Sequence, residues 1–491
     1  MKVLVANRGE IAIRIMRTCR EMGFPTVAVY SEADRTAPHA RAADEAIPIG
    51  EPKSYLDIPT IIAAAKRSGA QAVHPGYGFL SENAAFARAV EAAGLIFIGP
   101  RPETIEKAGD KLEARRIARE AGLPVLSGSD ESVPCDLPVG YAESIQYPVL
   151  VKAAAGGGGR GIRLARSPEE LEMMIAAARL EACQAFDDDT VYLEPLVPEA
   201  RHLEVQILGD GQGNVIYLGE RECSIQRRRQ KLIEESPAAE LPESTRQQLF
   251  DAALRLGCAL NYRSLGTIEF LLDAAGQVHF IEINPRIQVE HPVTEMITGL
   301  DLVREQLTLA AGSKLRLRQE DITWRGAAIE CRVLAEDVEN DFMPASGAVT
   351  YVKEPGGPFV RVDSALYIGM PIGTAYDSLL AKVIVWGEDR PAAIARAIRA
   401  LREFQIGGVP TDLTFLIKLL ESPAFVSGTF NTTYLDSFRP VLNLGPDVEL
   451  QAATAIALFV HNQREQSLPH KNGHVKPWRD AAWREQMRGM Q

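Results

Sequence analysis

Residues 151–164 read VKAAAGGGGRGIRL, four consecutive glycines followed by Arg160 and Gly161, so that Gly156 to Gly161 formally satisfy G-x-G-x-x-G. A dinucleotide fingerprint of that form needs its glycines between a strand and the N-terminus of a helix. Here β-patterned residues lie on both sides, PVLVKAAA before and GIRLA after. The next helix starts only at Ser167, with Pro168 in the first helical position and Glu170 completing a capping box. Context therefore rejects the fingerprint, and the lack of a following G-K-[ST] rejects a Walker A loop. Glycine N–H groups can approach phosphate oxygens closely, and Lys152 and Arg160 add positive charge to the same hairpin. A phosphate-covering flap and a flexible hairpin both fit this pattern.

Upstream of the hairpin, the first hundred residues alternate strand and helix. KVLVAN, TVAVYS, AQAVHP and LIFIGP have the pattern of short buried strands, while IPTIIAAAKRSG and NAAFARAVEAAG have that of helices. Repeated β-α units predict a parallel sheet with ligands at the carboxyl ends of its strands. Two glycine-bearing loops fall at such ends, NRGE (7–10) and HPGYGFLSEN (74–83), and either is also compatible with a plain tight turn. After Gly109 comes the charged amphipathic helix DKLEARRIAREAGL. The Pro-rich stretch VPCDLPVGYAESIQYP then leads into what reads as a separate small domain.

Downstream lies the densest chemistry, GTIEFLLDAAGQVHFIEINPRIQVEHPVTE (266–295). Two β-patterned runs meet at a turn near DAAGQ, which lets Glu269 and Glu282 approach across a hairpin, with Asn284 on the same face as Glu282. Two carboxylates and an amide oxygen are hard ligands suited to Mg²⁺ or Mn²⁺. Solvated strand faces are the alternative, weakened by the apolar neighbours of each acid. If the following segment stays extended, Arg286, Gln288 and Glu290 share a face, an oxyanion clamp with a possible general base. Between Arg221 and Lys231 lie five basic residues, readable as a solvated face or as a polyanion site.

The chain has 491 residues, a formal net charge of −12 and ordinary globular fractions of hydrophobic (46%) and charged (24%) residues. That length predicts about three domains. The acidic balance argues against nonspecific nucleic-acid or anionic-membrane partners. Neither a secretory h-region nor a run of ~18 apolar residues occurs, so the expected location is the cytoplasm. The six cysteines form no C-x-x-C pair and read as buried reduced thiols rather than a zinc site or disulfide framework.

Taken together, ANRGEIAIRI, HPGYGFLSEN, GDK (109–111), the glycine run, ECSIQRR, GTIEF, FIEINPRIQVEHPVTEMITG and ECRVLAED (330–337) closely resemble the biotin carboxylase family over roughly residues 1–440. This family is the ATP-grasp component of biotin-dependent carboxylases. The resemblance implies a mixed α/β and α+β fold. Its parts would be a Rossmann-like pre-ATP-grasp N-terminal domain (1–110) and an ATP-grasp domain (111–325) with a mobile glycine-rich lid near 126–196. An α/β C-terminal biotin carboxylase domain (326–440) and a C-terminal extension (441–491) would follow.

It also implies a reaction in which MgATP and bicarbonate give carboxyphosphate, which then carboxylates biotin on a carrier protein. By the same resemblance Lys111, Lys152, Gly156, Gly157, Gly158, Gly159, Glu194, Val197, His202, Gln226, Glu269 and Glu282 bind ATP. Glu269, Glu282 and Asn284 serve the metal, and Lys231, Arg286, Gln288, Val289 and Glu290 the bicarbonate. Glu290 is similar to the general base, Arg332 and Tyr77 match biotin contacts, and Glu82 matches a further active-site acid. The family's members are commonly homodimers that serve acetyl-CoA, propionyl-CoA, methylcrotonyl-CoA or pyruvate carboxylases. No A-M-K-M biotin-attachment motif occurs, so the biotin carboxyl carrier and the carboxyltransferase are expected on separate chains. The sequence departs from the family at Pro195 and Arg229, where lysine and histidine are common, and at Pro285, where threonine is frequent. Two rivals are an ATP-grasp ligase forming another acyl phosphate without biotin, and a non-catalytic nucleotide-binding scaffold. Retention of Glu269, Glu282 and Glu290 counts against the scaffold.

Overall fold

The computed structural model describes residues 1–440 except 129–130, 135–139, 156–160 and 187, together with 454 and 456–461. Residues 1–440 and 441–491 are two compact units. In the second, the described residues are helical and exposed.

The N-terminal runs of apolar residues pair as a five-stranded sheet built from β1 (Val3–Val5), β2 (Thr26–Ser31), β3 (Glu45–Gly50), β4 (Ala72–His74) and β5 (Ile96–Phe97). Its order is β3-β2-β1-β4-β5 and every pairing is parallel. The chain reverses its direction of travel across the sheet between β1 and β4, which opens a crevice at the carboxyl ends of those two strands. NRGE and HPGYG occupy it. The Asn7 amide donates to the carbonyls of Pro75 and Tyr77, each at 2.7 Å. Gly76 has φ +65°, and a Cβ there would come within 2.9 Å of the Asn7 amide nitrogen. The two loops are thus a sutured pair rather than two independent turns.

A three-stranded sheet, ordered β7-β6-β8, follows from β6 (Val149–Ala153), β7 (Ile162–Ala165) and β8 (Val191–Pro195). With the helix Pro168–Phe186 it encloses its own core of Val133, Val149, Val151, Leu171, Ile175 and Leu193. This sheet and helix follow the Pro-rich lead-in and belong to the same compact unit as the rest of residues 1–440. At that helix the Glu170 carboxylate accepts from the Arg166 N–H at 2.8 Å, one residue before the Ser167 N–H that the predicted capping box would use. The glycines 156–159 and Arg160 expected to cover phosphate lie outside the described residues.

The largest sheet has eight strands: β9 (Arg201–Asp210), β10 (Val215–Arg227), β11 (Gln230–Ser236), β12 (Arg263–Leu272), β13 (Val278–Asn284), β14 (Ala327–Leu334), β15 (Val360–Ser364) and β16 (Leu379–Gly387). They run antiparallel in the order β13-β12-β9-β10-β11-β14-β16-β15. The sheet crosses residue 325 without a break, since β11 pairs directly with β14. One part of it is covered by the helix Glu243–Ala259, whose Leu249, Phe250, Ala253 and Leu256 pack with Leu203, Val205, Ile268 and Phe270. Near β14 and β16 lies the helix Arg390–Glu403, started by Asp389, which caps the Ala392 N–H at 2.8 Å.

Packing is close where Tyr262, just before β12, lies against Gly266. Its ring is fully buried and its hydroxyl donates to the Leu265 carbonyl at 3.1 Å. A Cβ on Gly266 would come within 2.0 Å of that hydroxyl oxygen, so only glycine fits. Gly266→Ala must displace the ring, and overpacking of this kind costs about 1–3 kcal/mol. Urea denaturation of the variant should show a lowered midpoint, and an unchanged midpoint would contradict this packing.

Candidate active site

The sheet places polar residues at alternate positions of otherwise apolar strands. Glu204 on β9 lies directly opposite Arg221 on β10, and both side chains are fully buried and paired. Arg221 also donates to Gln206 (2.7 Å), Thr294 (3.0 Å) and Thr267 (3.1 Å). Every nitrogen of its guanidinium thus has a partner in the protein, and the group forms the floor of the site. The second oxygen of Glu204 accepts from Lys231 at 2.7 Å.

Lys231, at the start of β11, is the hub. Its ammonium also donates to Glu269 at 3.1 Å and to Glu290 at 2.6 Å. Burial works against the charge, but these carboxylates hold Lys231 well above the ordinary lysine range. Glu290 receives a second cation, Arg332 on β14, at 2.9 Å. Burial would push Glu290 up, yet Lys231, Arg332 and Arg221 hold it well below the ordinary carboxylate range. It is an ionised carboxylate at neutral pH. Arg332 is gripped from its other side by Glu234, which burial raises to about 7 against the opposing pull of Arg332.

Glu269 and Glu282 are register partners on β12 and β13, so their side chains leave the same face. Asn284 donates to Glu269 at 2.9 Å, and the His202 ring meets the other Glu269 oxygen at 2.8 Å. Gln226 lies 3.2 Å from the second His202 nitrogen. Glu282 stands at the rim, 3.5 Å from Lys111. Ligating atoms also converge in the sets His202, Glu204, Glu269 and Glu204, Cys223, Glu290, but Lys231 and Arg221 already neutralise those carboxylates. Glu269 is buried and also held by Lys231, so the Glu269 and Glu282 pair, with Asn284 beside it, is set apart by the half-buried Glu282 carboxylate at its rim, and two carboxylates with an amide oxygen suit a hard divalent cation.

The segment after β13 does not stay extended. Glu290 sits at the N-cap of the helix His291–Thr298 with φ −83° and ψ 12°, so strand alternation cannot be what brings Arg286, Gln288 and Glu290 together. They converge through a turn. Arg286 donates to Gln288 at 2.7 Å and to Asn284 at 3.1 Å, and pairs with Glu82 from the loop after β4. Tyr77, from that same loop, donates to Glu10.

On the small sheet, Glu194 is buried between Lys152 and Arg115, the latter at 2.9 Å. Val197 follows β8 just past Pro195. The basic run divides rather than forming one surface. Arg221 is in the floor, Lys231 is the hub, Arg227 and Arg228 pair with Asp341, and Arg229 reaches the Ile162 carbonyl at 3.4 Å. Neither a solvated face nor a single polyanion site describes it. Nor are all the thiols buried: Cys19, Cys223 and Cys331 are, whereas Cys183 and Cys258 are exposed. Sequence reading overlooked Glu204, Gln206, Arg115 and Glu234. The available signal was polarity inside apolar strands, as in HLEVQIL.

The family profile described as "Biotin carboxylase, N-terminal domain" matches residues 1–105. That for "Carbamoyl-phosphate synthase L chain, ATP binding domain" matches 110–318, and that for "Biotin carboxylase C-terminal domain" matches 330–437. The chain is 52% identical over 442 residues to the biotin carboxylase of Nostoc sp., covering 89% of this chain and 99% of the relative. It is 51% identical over 443 residues to biotin carboxylase 1 of Bacillus subtilis, covering 89% and 98%. Among solved structures it resembles the biotin carboxylase domain dimer of Hydrogenobacter thermophilus 2-oxoglutarate carboxylase, in complex with MgADP, ADP and bicarbonate. There the TM-score is 0.87 at 45% identity, covering 90% of this chain and 99% of the other. Matching profiles along the chain, half-identical relatives and the shared fold lead to one conclusion: the chain belongs to the biotin carboxylase family of ATP-dependent ligases, which form the biotin carboxylase subunit of biotin-dependent carboxylases.

Proposed function

We propose that this chain uses MgATP to activate bicarbonate as carboxyphosphate and transfers the carboxyl group to biotin on a separate carrier protein. A homodimer and a separate carboxyltransferase chain are part of the same reading. The observation that carries it is the meeting of Glu290, Lys231, Arg332 and Arg286 beside the Glu269 and Glu282 pair. Phosphoryl transfer needs positioning and charge neutralisation above all, and this cluster offers both.

Bicarbonate is an anion and must exchange with the protein's own carboxylates for Lys231 and Arg286. As it takes their N–H groups, Glu290 loses part of its cationic surroundings and its proton affinity rises. The ionised Glu290 then accepts the bicarbonate proton, and the resulting oxyanion attacks the γ-phosphorus as ADP departs. Gln288 and the Val289 backbone N–H orient the carbonate oxygens. Arg332 lies between Glu290 and Glu234, where it can stabilise the enolate-like form of biotin, with Tyr77 nearby. Lys111, Lys152, His202, Gln226, Glu194 and Val197 line the nucleotide side. Glu269, Glu282 and Asn284 would hold Mg²⁺, or Mn²⁺ with the same oxygen preference, and the bound ion neutralises developing charge on the phosphates.

ATP cleavage by the purified chain should depend on bicarbonate and rise with free biotin. Equal turnover without either would point instead to a different ATP-grasp ligase. Glu290→Gln keeps the volume but removes the base, and general-base loss lowers rates by about 10²–10⁴-fold. That variant should lose bicarbonate-dependent turnover and retain ATP binding, and wild-type turnover would remove Glu290 from this role. Glu282→Gln, at the half-buried rim, should leave the melting temperature unchanged and shift half-saturation to higher Mg²⁺. An unaltered Mg²⁺ titration would exclude Glu282 as a ligand.

A further inference from the structure

The strand LLAKVIVWG (379–387) carries one charge, Lys382, which is fully buried in the middle of an apolar run. Lysine is almost never fully buried without partners, and this one has three. Its ammonium donates to the Val289 carbonyl at 2.7 Å, meets Glu10 at 3.2 Å and lies 3.9 Å from Asp363. In register it stands directly opposite Arg332 on one side and Asp363 on the other, so Lys382 and Arg332 project from the same sheet face. Burial opposes its charge, and Glu10, Glu330 and Asp363 outweigh that opposition.

The bond to Val289 is the informative one. A peptide group is planar, so the Val289 carbonyl and the Glu290 N–H move as one unit. Fixing that oxygen fixes the direction in which Glu290 leaves the backbone. The preceding carbonyl, Gln288, is held in the same way by the His291 ring at 2.8 Å. Glu10 ties the ammonium to the five-stranded domain, because the same Glu10 carboxylate accepts from Tyr77 in the loop after β4. Three pieces of structure therefore meet at one nitrogen: the Glu290 turn, the eight-stranded sheet and the crevice loops of the N-terminal domain.

We propose that Lys382 is a positioning residue for the reaction: by holding the Val289–Glu290 peptide plane from beneath, it sets Glu290 within reach of bicarbonate and of Arg332. It touches no substrate. This inference rests on the function proposed above. Its test compares wild type, Lys382→Met and Lys382→Arg by steady-state kinetics with ATP, bicarbonate and free biotin, alongside thermal unfolding.

A misplacement of about 1 Å at a catalytic group can cost about 10²-fold in rate. Lys382→Met is expected to lower kcat by about that factor while the KM for ATP is unchanged, since the nucleotide side does not contact Lys382. Lys382→Arg, which keeps a cationic donor under the carbonyl, is expected to recover part of the loss. Wild-type kcat in Lys382→Met, a matching rise in the KM for ATP, or no recovery in Lys382→Arg would overturn the inference. If Lys382→Met does not fold, Lys382→Gln decides. Its side-chain nitrogen lies one bond nearer the backbone and stops short of the Val289 carbonyl, so a reduced kcat with unchanged ATP KM supports the proposal and full wild-type kcat overturns it. A wild-type protein that ignores bicarbonate and biotin refutes the functional reading itself, an outcome distinct from normal turnover in the variants.

Discussion

One ammonium group, that of Lys231, lies between three carboxylates that arrive on three different segments: Glu204 from β9, Glu269 from β12 and Glu290 from the turn after β13. Without a central cation, three buried negative charges within reach of one another would repel and each would be costly to desolvate. With it, strands separated by long stretches of sequence converge on a single point. Arg221 and Arg332 extend the same principle to either side, so the floor and the wall of the site are built from alternating charge. Packing of the apolar strands supplies the scaffold, while this charge lattice specifies where the catalytic groups stand.

A lattice of that kind is already electrically satisfied before any substrate arrives. An anionic substrate must therefore compete for cations that are engaged, and its arrival changes the basicity of the groups it displaces. Glu290 is the group most affected, because its low proton affinity comes from Lys231, Arg332 and Arg221 acting against burial. In the proposed reaction, anion binding and the gain in basicity of Glu290 are a single event.

Much of this was legible from the residues. Alternation of strand and helix patterns revealed the parallel N-terminal sheet and four of its five strands, missing β3 (Glu45–Gly50), and the acids within TIEFLL and FIEIN marked the Glu269 and Glu282 pair. The rejected fingerprint at 156–161 illustrates that position relative to strands and helices carries more information than the glycine pattern. What sequence could not supply was long-range pairing. Arg221 and Lys231 lie in one basic run, yet strand register sends one to the floor and the other to the hub. Arg286, Gln288 and Glu290 converge by a turn where alternation suggested a strand. Lys382, a lone charge in a core strand, announces a buried partner without identifying it.

The unbroken hydrogen bonding from β11 to β14 has a further consequence for how the molecule can be divided. Sequence profiles change between residues 318 and 330, but the sheet does not end there. A chain cut before Ala327 would leave β11 as a bare edge, with unpaired N–H and C=O groups along Ile233 to Ser236 and Arg332 missing from the wall. Such an edge is a template for pairing with another chain. The sheet is thus continuous across residues 318–330, and exchanging segments between relatives there has to preserve strand complementarity from Ile233 to Ser236 as well as the residues of the site.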